Sequence, residues 1–218
     1  MESFIFGHSS QNIPIFGHRF GTTGRHALVI GGVHGDEVEG VVATQGLLAK
    51  WITNFNLQLR VTLIPILNMD GVLKNERMNA RGVDLNRNMP TKDWSSEATT
   101  PRYQPGPKSC SEPESQALVD FIDQQKPELI ISLHSWKPVL NINGDCAPEA
   151  EAIASKTGYE ISPTIGYSTP GCLGTYTGIE RNIPTLTYEI ERGLKAESVL
   201  AIHVDAVIEG LKAFARRK

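Results

Sequence analysis

The chain has 218 residues, of which 40% are hydrophobic and 21% are charged, values typical of a globular domain. This length fits one α/β domain over residues 1–218 better than two small domains. The formal charge of −3 argues against a general nucleic-acid binder, because such proteins carry a broad positive surface.

Membrane and export signals are not apparent. No apolar run reaches the roughly 18 residues of a membrane span, and the first residues lack a charged segment followed by an apolar one. Cys110, Cys146 and Cys172 are widely spaced and form no C-x-x-C pair, which is typical of a reducing compartment. The cysteine pattern favours a cytoplasmic location, although a chain from which a leader had been removed would show the same features.

Short β-rich runs alternate with helical patterns along the chain. The predicted strands cover 26–32, 59–67, 128–133 and 184–190, and the predicted helices cover 37–51, 111–125, 147–157 and 196–214. Pro65 indicates an edge or a bulge in the second strand, and Ser111 with Glu114 predicts a capping box. This alternation predicts an α/β fold with a mostly parallel mixed sheet and helices on both faces.

Residues 68–110 form a long stretch rich in Asn, Arg, Pro and Gly. A loop of this length within a compact domain is usually functional or disordered. Within it, Asn86 and Arg87 have two interpretations. One is an ordinary turn, and the other is a carboxylate-binding pair that uses the guanidinium of Arg87 and the side-chain amide of Asn86.

His34 and Glu37 follow the first predicted strand in the pattern His-x-x-Glu. Imidazole and carboxylate groups suit zinc, and sites with two His and one Glu leave a position for water. Read alone, Glu37 could equally be an acidic residue in the first turn of a helix.

His134 ends another predicted strand, and Glu189 and Glu191 lie two residues apart in the last one. Ligands bind at the carboxyl ends of the strands in doubly wound sheets, so these residues are expected near His34. Strand spacing places both glutamates on one face and does not choose between them. The other histidines, His8, His18, His26 and His203, are interpreted as ordinary polar or core residues.

A turn-rich segment at 169–174 separates Tyr167 from Tyr176. Either tyrosine is interpreted as a packing residue or as a mobile hydroxyl over a cleft.

Together these motifs, by their order and spacing, resemble the zinc metallocarboxypeptidases of the carboxypeptidase A type, and within that family the small bacterial murein peptide amidases. The matching pieces lie at 31–37, 68–71, 77, 82–88, 132–134, 166–171 and 188–189. They span most of the chain, from about residue 30 to about residue 190.

The resemblance implies one Zn²⁺ ion held by His34, Glu37 and His134, as in the two-His-one-Glu sites of that family. Asp84 matches the family's carboxylate behind the first ligand, which implies that it orients His34 through the other ring nitrogen.

The resemblance also implies the catalytic and substrate-binding roles. Glu189, rather than Glu191, matches the general base, and Tyr167, 22 residues earlier, matches the family's mobile tyrosine. Arg77 matches the arginine that polarises the scissile carbonyl. Asn86 and Arg87 match the pair that grips the terminal carboxylate of a small peptide substrate.

By the same resemblance, the expected reaction is hydrolysis of the γ-D-glutamyl–meso-diaminopimelate bond of murein peptides during cell-wall recycling. Met69 stands where many relatives have Pro, and the short chain implies an open cleft. The expected specificity pocket near 171–176 shows no charge that would name its ligand.

Three alternatives remain at this level. A zinc hydrolase of the succinylglutamate desuccinylase or aspartoacylase type shares the Gly-x-His-Gly-x-Glu pattern and would cleave N-acyl amino acids. A carboxypeptidase of other specificity is the second. The third is an inactive zinc-holding or peptide-binding module, which the presence of Arg77, Tyr167 and Glu189 disfavours, since binding alone needs no base.

Overall fold

The computed structural model describes residues 1–98 and 100–217. Within these residues the strands are β1 (Glu2–His8), β2 (Pro14–Phe20), β3 (His26–Ile30), β4 (Arg60–Ile64), β5 (Leu129–Trp136), β6 (Val139–Asn143), β7 (Ile161–Ser162) and β8 (Thr185–Glu191). The α-helices are α1 (Val38–Thr53), α2 (Met69–Lys74), α3 (Pro113–Gln125), α4 (Ala147–Thr157) and α5 (Ala196–Ala215).

The strands of the described residues form one eight-stranded sheet in the order β1-β2-β4-β3-β5-β8-β6-β7. Its centre, β4-β3-β5-β8, is parallel, and the antiparallel pairings lie toward the two sides. Parallel strands joined by helical crossovers bring their carboxyl ends to one edge. The predicted α/β class with a mostly parallel mixed sheet is confirmed.

Strand β3 shows how the sequence fills both faces of the sheet. All five of its residues are buried, as expected for a central parallel strand covered on both sides. Ala27 and Val29 join the hydrophobic cluster that contains α1, α4 and α5. Leu28 and Ile30 join the cluster on the other face, which contains residues of α3. Helices therefore cover both faces, as predicted.

Two local predictions were wrong. Strand β4 pairs with β2 and β3 and ends at Ile64, so Pro65 marks neither an edge nor a bulge: it lies just beyond the last paired residue. The capping box is also not formed, since α3 follows Glu112 without a side-chain cap and starts with Pro113. Proline suits this position because its missing N–H would have no helical partner there.

The hairpin of β1 and β2 and the strand β6 were not predicted. The β1 strand lies at the edge of the sheet and its residues are only partly buried, so its hydrophobic pattern is weak. No helix in the described part of the chain has the length and apolar character needed to cross a bilayer.

Candidate active site

The candidate metal ligands come from two neighbouring parallel strands. His34 lies in the loop after β3, Glu37 directly precedes α1, and His134 lies near the end of β5. Since β3 and β5 pair in parallel, the loop after one strand meets the end of the other. The fold therefore brings together three residues from distant parts of the sequence.

The donor atoms of these residues face one point. His34 Nδ1 lies 2.9 Å from Glu37 Oε1, His134 Nδ1 lies 2.8 Å from Glu37 Oε2, and the two Nδ1 atoms are 3.2 Å apart. All three side chains are buried. Among the described residues this is the only group of three or more His, Cys, Asp or Glu that could hold a metal ion.

The second nitrogen of each imidazole has its own partner. His34 Nε2 lies 2.9 Å from Asp84 Oδ1, and His134 Nε2 lies 3.0 Å from Ser132 Oγ. These contacts favour protons on Nε2 and leave both Nδ1 lone pairs facing the shared point. Donor separations near 3 Å fit a tetrahedral ion with bonds of about 2 Å to nitrogen and oxygen, which are the bond lengths of zinc. The residues present fit zinc.

The electrostatics keep the carboxylates of this centre ionised. Burial opposes ionisation of Glu37, yet the adjacent His34 and His134 hold its pKa well below the usual range. Burial likewise opposes ionisation of Asp84, but His34 and Arg77 lower its pKa strongly. For His34, burial is outweighed by Glu37 and Asp84, and its pKa is raised.

Arg77 joins the two carboxylates of the site. Its Nε donates to Asp84 Oδ2 at 2.9 Å and its Nη1 donates to Glu37 Oε1 at 3.1 Å. The backbone is held by Asn68, which caps α2 and donates from Nδ2 to the Arg77 carbonyl. Arg77 therefore lines the cleft beside the ligands with a fixed guanidinium orientation.

Asn86 and Arg87 lie in a short 3-10 helix, Leu85–Arg87, whose first turn is capped by the Asp84 carboxylate. Asn86 Oδ1 accepts from the backbone N–H of Leu173 at 2.9 Å. Both side chains line the same cleft as His34 and Glu37. A single residue, Asp84, thus contacts the candidate ligand His34 through one oxygen and also caps the turn that carries Asn86 and Arg87.

Glu189 lies beside His134 in the pairing of β5 and β8. Its side chain is buried, and Oε2 has no hydrogen-bond partner among the described residues. Burial, reinforced by the nearby Glu37, raises the pKa of Glu189 to about 7. Glu191 is exposed, so burial distinguishes two glutamates that strand spacing left equivalent.

A cleft of about 210 Å³ contains these groups. Its charged lining in the described residues is Arg77, Arg87, Arg102, Arg192, Glu37 and Glu189. The uncharged polar side chains of the lining are Asn86, Ser135, Asn141, Asn143, Thr164, Thr169, Thr175 and Thr187. The remaining lining residues are His34, Cys172, Gly174, the apolar Pro163 and Ile165, and the aromatic Tyr103, Trp136 and Tyr167. The predicted pocket segment 171–176 therefore contributes Cys172, Gly174 and Thr175 to the wall.

Aromatic side chains form the rim. Tyr167 is 40% exposed, and its ring centroid lies 6.2 Å from that of Tyr103 and 5.6 Å from that of Trp136. Arg77 and Arg87 both approach the ring of Tyr103. Tyr176, by contrast, is fully buried in the core and is a packing residue.

Sequence reasoning missed several lining residues, namely Arg102, Tyr103, Asn141, Asn143, Thr187 and Arg192. Arg102 and Tyr103 lie in the long stretch 68–110, and the length of this stretch was the sequence feature that indicated a functional role there. The histidines interpreted as ordinary do not line the cleft; His26 and His203 are buried and bonded to Thr62 and Tyr188.

Comparison with known proteins gives a consistent result. Residues 1–191 match the sequence profile of the zinc carboxypeptidase family, Peptidase_M14. A curated relative, murein peptide amidase A of Escherichia coli K12, is 31% identical over 174 residues, which is 74% of this chain and 69% of the relative.

Among solved structures, the murein-tripeptide amidase from Escherichia coli O157 has a TM-score of 0.81 at 25% identity, covering 97% of this chain and 92% of that chain. Bovine thrombin-activatable fibrinolysis inhibitor has a TM-score of 0.83 at 18% identity, covering 98% and 90%. The second likeness is one of fold.

Proposed function

This chain belongs to the zinc carboxypeptidase family, and we propose that it is a zinc-dependent amidase that cleaves the γ-D-glutamyl–meso-diaminopimelate bond of murein peptides. It is a hydrolase, and zinc is its cofactor. The proposal assigns the zinc ligands to His34, Glu37 and His134 and the general base to Glu189.

The observation that carries the substrate proposal is the chemistry of the cleft wall. Asn141, Asn143, Thr175 and Thr187 offer both hydrogen-bond donors and acceptors and carry no charge. The side chain of meso-diaminopimelate ends in an ammonium and a carboxylate, so it requires both kinds of partner.

Other specificities fit this wall less well. A pocket selective for Lys or Arg side chains needs a carboxylate, and one selective for aromatic side chains needs an apolar lining. The carboxylates that line the described cleft are Glu37 and Glu189, and both are assigned to the metal and the chemistry.

The names of the relatives support the same substrate class. Murein peptide amidase A from Escherichia coli and the murein-tripeptide amidase of known structure are named for this kind of peptide. The peptide's free terminal carboxylate would be gripped by Asn86 and the guanidinium fork of Arg87, which binds carboxylates bidentately.

The proposed mechanism is metal-assisted amide hydrolysis. A zinc ion held by the three ligands would supply Lewis-acid polarisation and lower the pKa of water to about 7. Glu189 would take the proton of the attacking water and return it to the leaving amine. Its buried position and its pKa near 7 suit a group that both accepts and returns a proton at neutral pH.

Arg77 and Tyr167 would act on either side of the reacting carbonyl. Arg77 would donate to the developing oxyanion, and one such donor contributes roughly 3 kcal/mol to barrier lowering. Tyr167, exposed on its loop among other aromatic rings, would cover the bound peptide.

The compartment proposed is the cytoplasm. The three cysteines of the chain are free thiols, which supports a reducing environment. Recovery of the intact chain in the soluble cytoplasmic fraction, with none in the periplasmic fraction, is the expected result.

The test is mass spectrometry of products from L-Ala-γ-D-Glu-meso-diaminopimelate. We expect release of free diaminopimelate, lost on treatment with a chelator and restored by zinc. Parallel assays with the tripeptide that carries L-Lys in place of diaminopimelate, and with N-succinylglutamate and N-acetylaspartate, should show far slower turnover. Preferred cleavage of an N-acyl amino acid would overturn the proposal in favour of a desuccinylase-like enzyme.

A further inference from the structure

Two arginines of the cleft wall that the proposed mechanism does not use meet at one carboxylate, that of Asp36. Asp36 lies between His34 and Glu37 in the ligand loop. Its Oδ2 accepts from Arg102 Nη2 at 2.8 Å and lies 3.0 Å from Arg192 Nη2. Arg192 also donates to the Asp36 backbone carbonyl. Asp36 thus links the loop that carries His34 and Glu37 to the long stretch 68–110 and to the segment after β8.

This cluster, Asp36 with Arg102 and Arg192, carries a net positive charge. One carboxylate shared by two guanidinium groups leaves one positive charge uncompensated. Among the described residues neither arginine pairs with another carboxylate. Each guanidinium has five N–H donors in a planar fork, and only Nη2 of each is hydrogen-bonded to a described protein acceptor.

The arginines are held in place and still accessible. Their side chains are 48% and 38% exposed, whereas Asp36 is only 17% exposed. Both line the same cleft as His34 and Glu189. A surface ion pair would leave its remaining donors to bulk solvent, but here those donors belong to the wall of the substrate cleft.

The cluster and the proposed carboxylate clamp are held by different parts of the fold. Asn86, next to Arg87, is bonded to Leu173 in the 171–176 segment. Arg102 and Arg192 are bonded instead to the loop that carries His34 and Glu37. If the clamp holds the amine-side product, these two arginines are the cationic groups of the cleft that remain available to the acyl side of the substrate.

We propose that Arg102 and Arg192, positioned by Asp36, form a second anionic subsite that binds a carboxylate on the acyl side of the scissile amide. This inference rests on the proposed function and deepens it. In a γ-linked glutamyl substrate the α-carboxylate is free and is separated from the scissile carbonyl by a short carbon chain. A peptide with an uncharged acyl-side residue has no carboxylate at that place, so the subsite would select an acidic residue such as glutamyl on the acyl side.

The experiment compares two substrates that differ at that one group. These are L-Ala-γ-D-Glu-meso-diaminopimelate and the same tripeptide with the α-carboxylate of the glutamyl residue converted to an amide. A bidentate, charge-assisted contact predicts that the wild-type enzyme prefers the free acid by roughly tenfold or more in kcat/KM, mainly through KM.

The variants are Arg102→Gln, Arg192→Gln and the double variant. Each should lower the ratio of the two kcat/KM values, and the double variant should bring it close to one. Because the ratio is taken within each protein, any effect of Arg192 on Glu189 cancels. Arg19→Gln is the matched control, since Arg19 is a similarly exposed arginine in an ion pair with Glu2 outside the cleft.

The outcomes are separable. Equal cleavage of both substrates by the wild-type enzyme, or a preference that survives in the folded double variant, overturns the subsite and leaves the proposed function standing. Failure of the wild-type enzyme to cleave either γ-glutamyl substrate overturns the proposed function, and the subsite with it. Circular dichroism and zinc content of each variant establish that it is folded and loaded.

Discussion

Replacing Asp84 by Asn is expected to weaken zinc binding without removing any proposed ligand. The Asp84 carboxylate accepts three hydrogen bonds at 2.9 Å each, from His34 Nε2 and the Asn86 N–H on Oδ1 and from Arg77 Nε on Oδ2. It is completely buried, so water cannot take the place of a lost partner.

An asparagine cannot satisfy these three contacts in either orientation. If its oxygen keeps the bonds to His34 and Asn86, its amide N–H₂ faces the Arg77 N–H, and two donors oppose each other. If the amide is flipped, its N–H₂ faces His34 Nε2 and drives the imidazole proton to Nδ1, which is the atom needed for the metal. Each arrangement leaves a buried donor unpaired or the wrong histidine tautomer.

The expected magnitude follows from the role of such groups. Loss of a carboxylate that orients a metal-binding histidine weakens metal affinity by about 10–100-fold, or roughly 1.4–2.7 kcal/mol. Zinc affinity is measured by competition with a chromophoric chelator. Asp145→Asn is the control, because the Asp145 side chain is 84% exposed. A folded Asp84→Asn protein that binds zinc as tightly as the wild type would refute the assignment.

Two further predictions use other buried groups. Glu189→Gln should retain zinc and lose about 100–10,000-fold in kcat on the tripeptide. The control is Glu191→Gln, at an exposed position two residues away, which should keep a kcat near that of the wild type. Comparable losses of kcat in both variants would contradict the general-base role of Glu189. Burial lowers the pKa of His203 to about 4, whereas the unfolded chain binds the proton near pH 6.5. The stability of the folded state therefore carries the full contribution of neutral His203 above pH 6.5. As the pH falls from 6.5 toward 4, this contribution to the free energy of unfolding is lost, by up to about 3 kcal/mol. Urea unfolding at pH 7 and pH 4.5 should show a larger loss for the wild type than for His203→Gln; equal losses would mean that His203 titrates normally in the folded state.

The parts of the fold that could be predicted are those with strong hydrophobic patterns. Strand β3 is a run of five buried residues and β5 is almost as buried, so both were evident, and each leads into a candidate ligand. The edge hairpin was missed because only some of its residues are buried. A weak alternation of this kind cannot be told from a loop in a single sequence.

The parts of the site that could not be predicted depend on contacts distant in sequence. Tyr103 and Arg102 lie in a segment without hydrophobic periodicity, and the fold brings them to the cleft through Asp36 and the aromatic rim. Spacing alone gave Glu189 and Glu191 the same status, and the resemblance favoured Glu189. Their difference in burial arises only when the end of β8 pairs with β5 and β6.

The four carboxylates around the cleft are separated in function by their partners. His34 and Arg77 hold the pKa of Asp84 low, and His34 and His134 hold that of Glu37 low. Asp36 is paired with two arginines. Glu189 has a buried oxygen with no hydrogen-bond partner among the described residues, and its pKa is near 7. Groups fixed as anions can hold a metal or position a cation, but they cannot exchange protons at neutral pH. Because Glu189 alone of these four lacks an arginine partner within ion-pair distance in the described structure, it is the carboxylate best suited to carry the proton from water to the leaving amine.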